Sequence, residues 1–368
     1  MARDIVIFCD GTGNQFGDTN SNVLKLHDCL HRDAAEVLTF YDPGVGTFGL
    51  QEAMFAWQQV IPRLAGLAFG WGYRQMVHRA YTFIACNYQP GDRVWLFGFS
   101  RGAYIARVLA GMLHGVGLLE PGNVHLFNTA FRIYKKALVR GPEGGGGFPI
   151  LQRFKKQFCQ SCPMHFLGAF DTVKSIGWFR RWMVLPWTAK NDSLGIVRHA
   201  LSIDEQRCFF RPNLWGEPGN TDVREVWFAG VHSDVGGDYP EAEAGLSKIA
   251  LKWMIDQAQS AGLRMDAKRM ARVMGGGGHY VIPDPGADAH CSLKSAWWLP
   301  QILLPRRLAD REGSSARTGL PFISWSLIKL PRTIRAKSNI HVSVQQRIEV
   351  RPDYRPVNLP KSPRFVEA

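Results

Sequence analysis

The stretch Gly98-Phe99-Ser100-Arg101-Gly102 sets a serine between two glycines at the spacing used for nucleophilic acyl transfer. A serine hydroxyl is a weak nucleophile. It needs a base to take its proton, usually a histidine that a carboxylate orients. Downstream, Asp171 follows the apolar run 165–170, and His232 follows the run 224–230. Together they could hydrolyse an ester through an acyl-enzyme, with Ser100 as nucleophile, His232 as base and Asp171 as the acid that orients it. Residue type alone leaves rivals. Asp192 and Asp204 are alternative acids, and His114, His125, His199, His279 and His341 are alternative bases, although none of these histidines follows so clear an apolar run. Ser100 also has a plain reading, as a helix N-cap.

Such a serine must be presented by a sharp turn between a strand and a helix. Residues 93–97 (Arg-Val-Trp-Leu-Phe) read as a buried strand, and the alanine- and leucine-rich stretch 103–113 reads as a helix. Gly98 and Gly102 supply the small flanks that keep a strained turn clear of its neighbours. The helix N-terminus directs N–H groups and partial positive charge at the site, and the Arg101 N–H is one oxyanion donor. Residues 4–9 form a second apolar run, stopped by Asp10-Gly11-Thr12-Gly13-Asn14. A buried strand feeding that loop would bring the second oxyanion N–H, from Gly11 or Thr12, with Asp10 in support. Asp-Gly-Thr after a strand also suggests haloacid-dehalogenase phosphatases, but their nucleophilic aspartate would stand where this chain has Phe8.

Further strands are expected at 37–41, 165–170 and 224–230, and helices at 71–88 and 245–258. This alternation points to an α/β fold of the α/β-hydrolase kind: a mostly parallel, doubly wound sheet with helical and loop insertions. Residues 1–368 are read as a single domain, with no internal repeat of 20–50 residues. Between about 286 and 336, Trp297, Trp298, Leu299, Phe322 and Trp325 are interleaved with Lys and Arg. That pattern suits a lid or interfacial insertion, or a plain covering layer.

The chain carries 44 Lys+Arg against 31 Asp+Glu, a formal charge of +13, much of it late in the sequence. No nucleic-acid signature accompanies the charge, so a solvated basic face or a surface meeting anionic phospholipid is expected rather than a nucleic-acid partner. Cys159 and Cys162 form a lone C-x-x-C with no second pair, and read as ordinary thiols. The glycine runs 144–147 and 275–278 lack the Lys-Ser or Lys-Thr of a phosphate loop and read as insertions. His232, Asp234 and Asp10 could in principle share a metal, but no spacing demands one, and no metal or other cofactor is expected. The N-terminal apolar run is too short for a signal peptide, and no run of about 18 apolar residues exists. The expectation is a protein made in the cytoplasm.

Several blocks, in order, carry a resemblance. They are residues 8–14 (Phe-Cys-Asp-Gly-Thr-Gly-Asn), 98–103 around Ser100, Phe170-Asp171-Thr172-Val173, and 198–205 (Arg-His-Ala-Leu-Ser-Ile-Asp-Glu). Residues 230–237 around His232 follow, then His341-Val342-Ser343-Val344 and Asn358-Leu359-Pro360. In these the chain resembles the catalytic domain of type VI secretion phospholipase effectors of the first lipase class. The resemblance implies an α/β-hydrolase fold and phospholipase A-type hydrolysis by Ser100, Asp171 and His232. It also implies a phospholipid substrate, export by type VI secretion, and secretion and immunity partners. A soluble carboxylesterase and a catalytically silent binding protein are the competing readings. One departure stands out: Asp238 occupies a position where members often carry glycine.

Overall fold

Eight parallel strands lie side by side among the residues described by the computed structural model: 2–11, 17, 19–33, 35–44, 62–137, 148–173, 177–178, 181–182, 185–207, 210–293 and 332–367. We number the strands of this sheet β1 (Asp4–Cys9), β2 (Val37–Asp42), β3 (Arg93–Phe99), β4 (Met164–Phe170), β5 (Leu194–Ser202), β6 (Asp222–Phe228), β7 (Asn339–His341) and β8 (Arg364–Val366). Their spatial order is β2-β1-β3-β4-β5-β6-β7-β8. Parallel strands need long crossovers, and here those crossovers carry helices onto both faces of the sheet.

Successive residues of β1 therefore enter different cores. Ile5, Ile7 and Cys9 pack with Val77, Tyr81, Ile105 and Leu109, from the helices Pro62–Asn87 and Arg101–Gly115. Val6 and Phe8 pack with Val23, Leu26, Leu251 and Met254, from the helices Asn22–Asp28 and Gly245–Ser260. This two-sided burial explains why β1 and β3 read as continuous apolar runs without alternation. A smaller cluster of Leu201, Ile203, Trp227, Ile334, Ile340 and Val344 ties the last strands to the sheet.

β1 has β2 on one side and β3 on the other, so the chain reverses its direction of winding there. In doubly wound sheets the crevice at such a reversal, beyond the carboxyl ends of the strands, is where sites form. The loop beginning at Asp10 and the turn at Ser100 both leave the sheet at this crevice. The α/β architecture expected from the sequence is the one observed.

Three strands of the sheet were unforeseen: β7 and β8 at its edge, and, in its middle, β5. Gly195, Arg198 and His199 interrupt its apolar pattern. The fold buries both polar side chains by pairing them: Arg198 with Gln257 at 2.5 Å and Asp222 at 2.6 Å, and His199 with Glu225 at 2.9 Å. The insertion expected at 286–336 lies mostly outside the described residues, as does the glycine run at 144–147. Among the described residues no helix is long and apolar enough to cross a membrane.

Candidate active site

β3 ends at Phe99 and the next helix begins at Arg101, which leaves Ser100 as the only joint between them. The joint is sharp. Ser100 has φ 58° and ψ −120°, a conformation that costs a non-glycine residue about 1–3 kcal/mol. Its flanks must be glycine for a steric reason. A Cβ on Gly98 would lie 2.6 Å from the Ala103 backbone, and one on Gly102 would lie 2.0 Å from the Cys9 carbonyl oxygen. The turn is thus wedged against the end of β1. Ser100 occupies the N-cap position, but its side chain makes no capping hydrogen bond, so capping does not account for it. Arg101 is the first residue of the helix, at its positive end.

The turn is tied to the neighbouring strand. The Ser100 N–H donates to the Phe170 carbonyl at 3.0 Å, and the next residue is Asp171. Asp171 is fully buried, with φ 40°. Its carboxylate collects four groups of donors. The Ser202 N–H donates to Oδ1 and the Ser202 hydroxyl to Oδ2, both at 3.0 Å. Arg332 forks onto both oxygens, at 2.5 and 3.0 Å. Nδ1 of His232 lies 2.5 Å from Oδ2. A carboxylate on Nδ1 places the proton there, which makes Nε2 the acceptor nitrogen. Nε2 is buried and has no hydrogen-bond partner among the described residues. The imidazole is held between Phe99 and Phe210, each ring 4.7 Å away, and Phe99 is the residue before Ser100. On the backbone side, the His232 N–H donates to Glu205 at 3.2 Å, and Glu205 is itself clamped by Arg207.

The electrostatics follow from these contacts. Burial would raise the Asp171 carboxyl, but the Arg332 charge and the bonds from His232 and Arg332 hold it well below the usual carboxylate range. Burial pushes His232 down from its ordinary 6.5, against the opposing pull of Asp171 and Glu205. Burial would likewise raise Glu205, and the Arg207 pairing reverses it to a net lowering. Arg101 falls to about 10 through burial, which leaves it cationic at neutral pH.

The early loop is organised by Asp10. Oδ2 accepts the Ser21 hydroxyl at 2.5 Å and the Tyr41 hydroxyl at 2.8 Å, while Oδ1 accepts the Gly11 N–H at 2.7 Å. Of the two loop donors expected from the sequence, the Gly11 N–H thus faces the neighbouring carboxylate. The other donor expected from this loop, Thr12, lies outside the described residues. Asp234 braces the turn that carries His232. It accepts the Val231 N–H at 2.9 Å and meets Nδ1 of His290 at 2.6 Å. The Asp10 and Asp234 carboxylates are thus engaged by protein donors. Among the described residues, the metal-type grouping with mutually close ligand atoms is instead His31, Asp33 and Glu36.

The rival residues are placed elsewhere. Asp192 is exposed; Asp204 is bound by the Gly230 N–H and the Tyr354 hydroxyl and rises to about 6 through burial. Nε2 of His199 accepts the Thr172 N–H, and its other nitrogen faces Glu225. His114 meets Ser193 and His341 meets Ser343, while His125 and His279 are exposed. Asp238 adopts φ 88°, the left-handed conformation that explains a preference for glycine there, and burial raises its carboxyl to about 6. Cys159 and Cys162 are free thiols, each raised to about 12 by burial.

Sequence reasoning missed Arg332, Glu205, Ser202 and His290. Arg332 meets Asp171 across 161 positions, and nothing in its own neighbourhood distinguishes it from the other late basic residues.

Residues 3–257 match the family described as the catalytic domain of type VI secretion system phospholipase effectors, Tle1-like. The chain belongs to this family. The match spans Ser100, Asp171, Glu205 and His232, and Arg332 lies beyond it. An uncharacterized protein of Saccharomyces cerevisiae is 34% identical over 219 residues, which are 57% of this chain and 32% of that protein. The Tle1-like chain therefore spans about a third of the length of that curated relative. Two solved structures are similar. An uncharacterized protein from Pseudomonas aeruginosa aligns at 19% identity and TM-score 0.41, over 73% of this chain and 48% of its own. The Tle1 effector bound to the VgrG spike aligns at 21% and TM-score 0.37, over 67% and 53%.

Proposed function

We propose that this Tle1-like domain is a serine ester hydrolase, a phospholipase of the A type, acting through Ser100, His232 and Asp171. The observation that carries the reading is the Asp171–His232 pair at 2.5 Å, its Nε2 buried and unpartnered among the described residues and its ring packed on Phe99, the residue before a serine on a strained strand-to-helix turn. In this mechanism Nε2 of His232 takes the Ser100 proton as Oγ attacks the ester carbonyl carbon. The oxyanion is held by the Arg101 N–H at the start of the helix. His232 then returns the proton to the departing lysophospholipid alcohol as the C–O bond breaks. A water molecule, deprotonated by His232, releases the fatty acid and restores Ser100. Asp171 stays ionised throughout and holds the imidazole in one tautomer. As a member of an effector family, the domain is proposed to reach its lipid by type VI delivery.

A fluorophosphonate probe and a pair of substrates test this. The probe should label Ser100, and Ser100→Ala should abolish labelling and cut turnover by about 10³-fold or more while the fold persists. Micellar phospholipid should be cleaved faster than a monomeric short-chain ester. Activity that survives Ser100→Ala would sink the serine mechanism, and equal rates on both substrates would reduce the reading to a soluble carboxylesterase.

A further inference from the structure

We propose that Arg332 is a positioning residue that neutralises Asp171 and so keeps His232 an unprotonated base in acidic surroundings. The inference rests on the serine-hydrolase reading and deepens it. Arg332 is 8% exposed, and its two terminal nitrogens are spent inside the protein. One terminal nitrogen reaches Asp171 Oδ1 and both the carbonyl and the hydroxyl oxygen of Ser202; the other reaches Asp171 Oδ2 and the Phe210 carbonyl. Nε is buried without a hydrogen-bond partner among the described residues. Both terminal nitrogens face protein acceptors and Nε is shut off from the surface, so the guanidinium serves the acid and not the substrate. Its backbone is fixed too. The Asn358 side chain donates to the Arg332 carbonyl and to the Ile203 carbonyl, both at 3.0 Å, which staples Arg332 to the end of β5.

The consequence concerns the charges that face His232. Asp171 stands at Nδ1 and Glu205 at the backbone N–H; Arg332 is clamped to the first and Arg207 to the second. Asp234, on the same turn, is tied to His290. Beside a lone carboxylate, a proton arriving on the imidazole completes an ion pair. Here both nearby carboxylates are already paired, so the same proton would create net positive charge at a residue that is 4% exposed. At the effective dielectric of protein sites, removing one cation a carboxylate's width away shifts such a proton equilibrium by about one to two pH units.

The experiment compares wild type, Arg332→Gln and Arg332→Lys. The readouts are kcat/KM on a soluble short-chain ester and the rate of fluorophosphonate labelling, each followed from pH 4 to 9. In the wild type the acidic limb should fall below the ordinary histidine value of 6.5. Arg332→Gln should raise that limb by about one to two units and lower the plateau, because Asp171 loses both its counter-charge and its fork. Arg332→Lys keeps the charge but not the fork, so its limb should stay within about half a unit of wild type while the plateau drops. A limb unmoved in Arg332→Gln, a wild-type limb near pH 7 or above, or a full-unit rise in Arg332→Lys overturns the proposal. If Arg332→Gln fails to fold, the other two profiles decide. Labelling or hydrolysis persisting in Ser100→Ala would instead overturn the serine reading, and this inference with it; an unmoved limb with Ser100 still labelled overturns only the role of Arg332.

Discussion

Asp171→Asn tests the centre of the site because it leaves shape almost unchanged and removes one charge. In the native protein that charge faces Arg332 through two hydrogen bonds and His232 through one. Asparagine offers one acceptor oxygen and one donor nitrogen. Whichever way it turns, an N–H faces either a guanidinium N–H or the protonated Nδ1. The Arg332 side chain is 5% exposed, so it is left as a buried cation without its partner. Breaking a buried ion pair from one side costs about 3–5 kcal/mol. For 368 residues the unfolding entropy is about 0.8 kcal/mol/K, from roughly 2.1 cal/mol/K per residue, so Tm should fall by about 4–6 °C. The pH dependence has a definite sign. Asp171 is held below its unfolded-state value, so its contribution is complete above that value and is lost only as pH falls through the depressed folded one. The gap in Tm between wild type and Asp171→Asn should therefore be flat from pH 5 to 8 and narrow only below about pH 4. Scanning calorimetry across that range is the assay. An Asp171→Asn protein within 1 °C of wild type at pH 7, or a gap that closes between pH 7 and 5, would refute the buried pairing.

Gly102→Ala should lower Tm by about 4 °C or more and abolish activity. Its Cβ would sit 2.0 Å from the Cys9 carbonyl, and overpacking against backbone costs about 3 kcal/mol. Gly122→Ala, with nothing within 4 Å of its Cβ, should leave Tm within 1 °C by the same thermal melt. His290→Gln probes the brace on Asp234. His290 is raised chiefly by its bond to Asp234, and by Glu243 against the opposing effect of burial. Its contribution should be complete below its ordinary 6.5 and lost as pH climbs through the raised folded value. Melting curves should show the wild type ahead by about 1 kcal/mol near pH 5.5 and level with His290→Gln by about pH 9; an advantage that grows with pH would contradict the pairing.

The order of apolar runs was enough to read β1, β2, β3, β4 and β6 and the helices over 71–88, 103–113 and 245–258; β1, β3 and β4 stood out most because strands buried on both faces must be apolar nearly throughout. The same runs located Ser100, Asp171 and His232, since each stands just past the carboxyl end of a strand and that end is marked by an abrupt change of residue type. β5 was illegible for the converse reason: Arg198 and His199 are tolerable in a central strand only because Gln257, Asp222 and Glu225 meet them, and those partners are distant in sequence. Ser100 was therefore determined by local sequence, through two glycines that no other residue could replace at that turn. The charge state around His232 was decided by tertiary structure alone. Arg332 reaches Asp171 from 161 residues away, and electrostatic pairing depends on distance in space, which the order of residues along a chain does not encode.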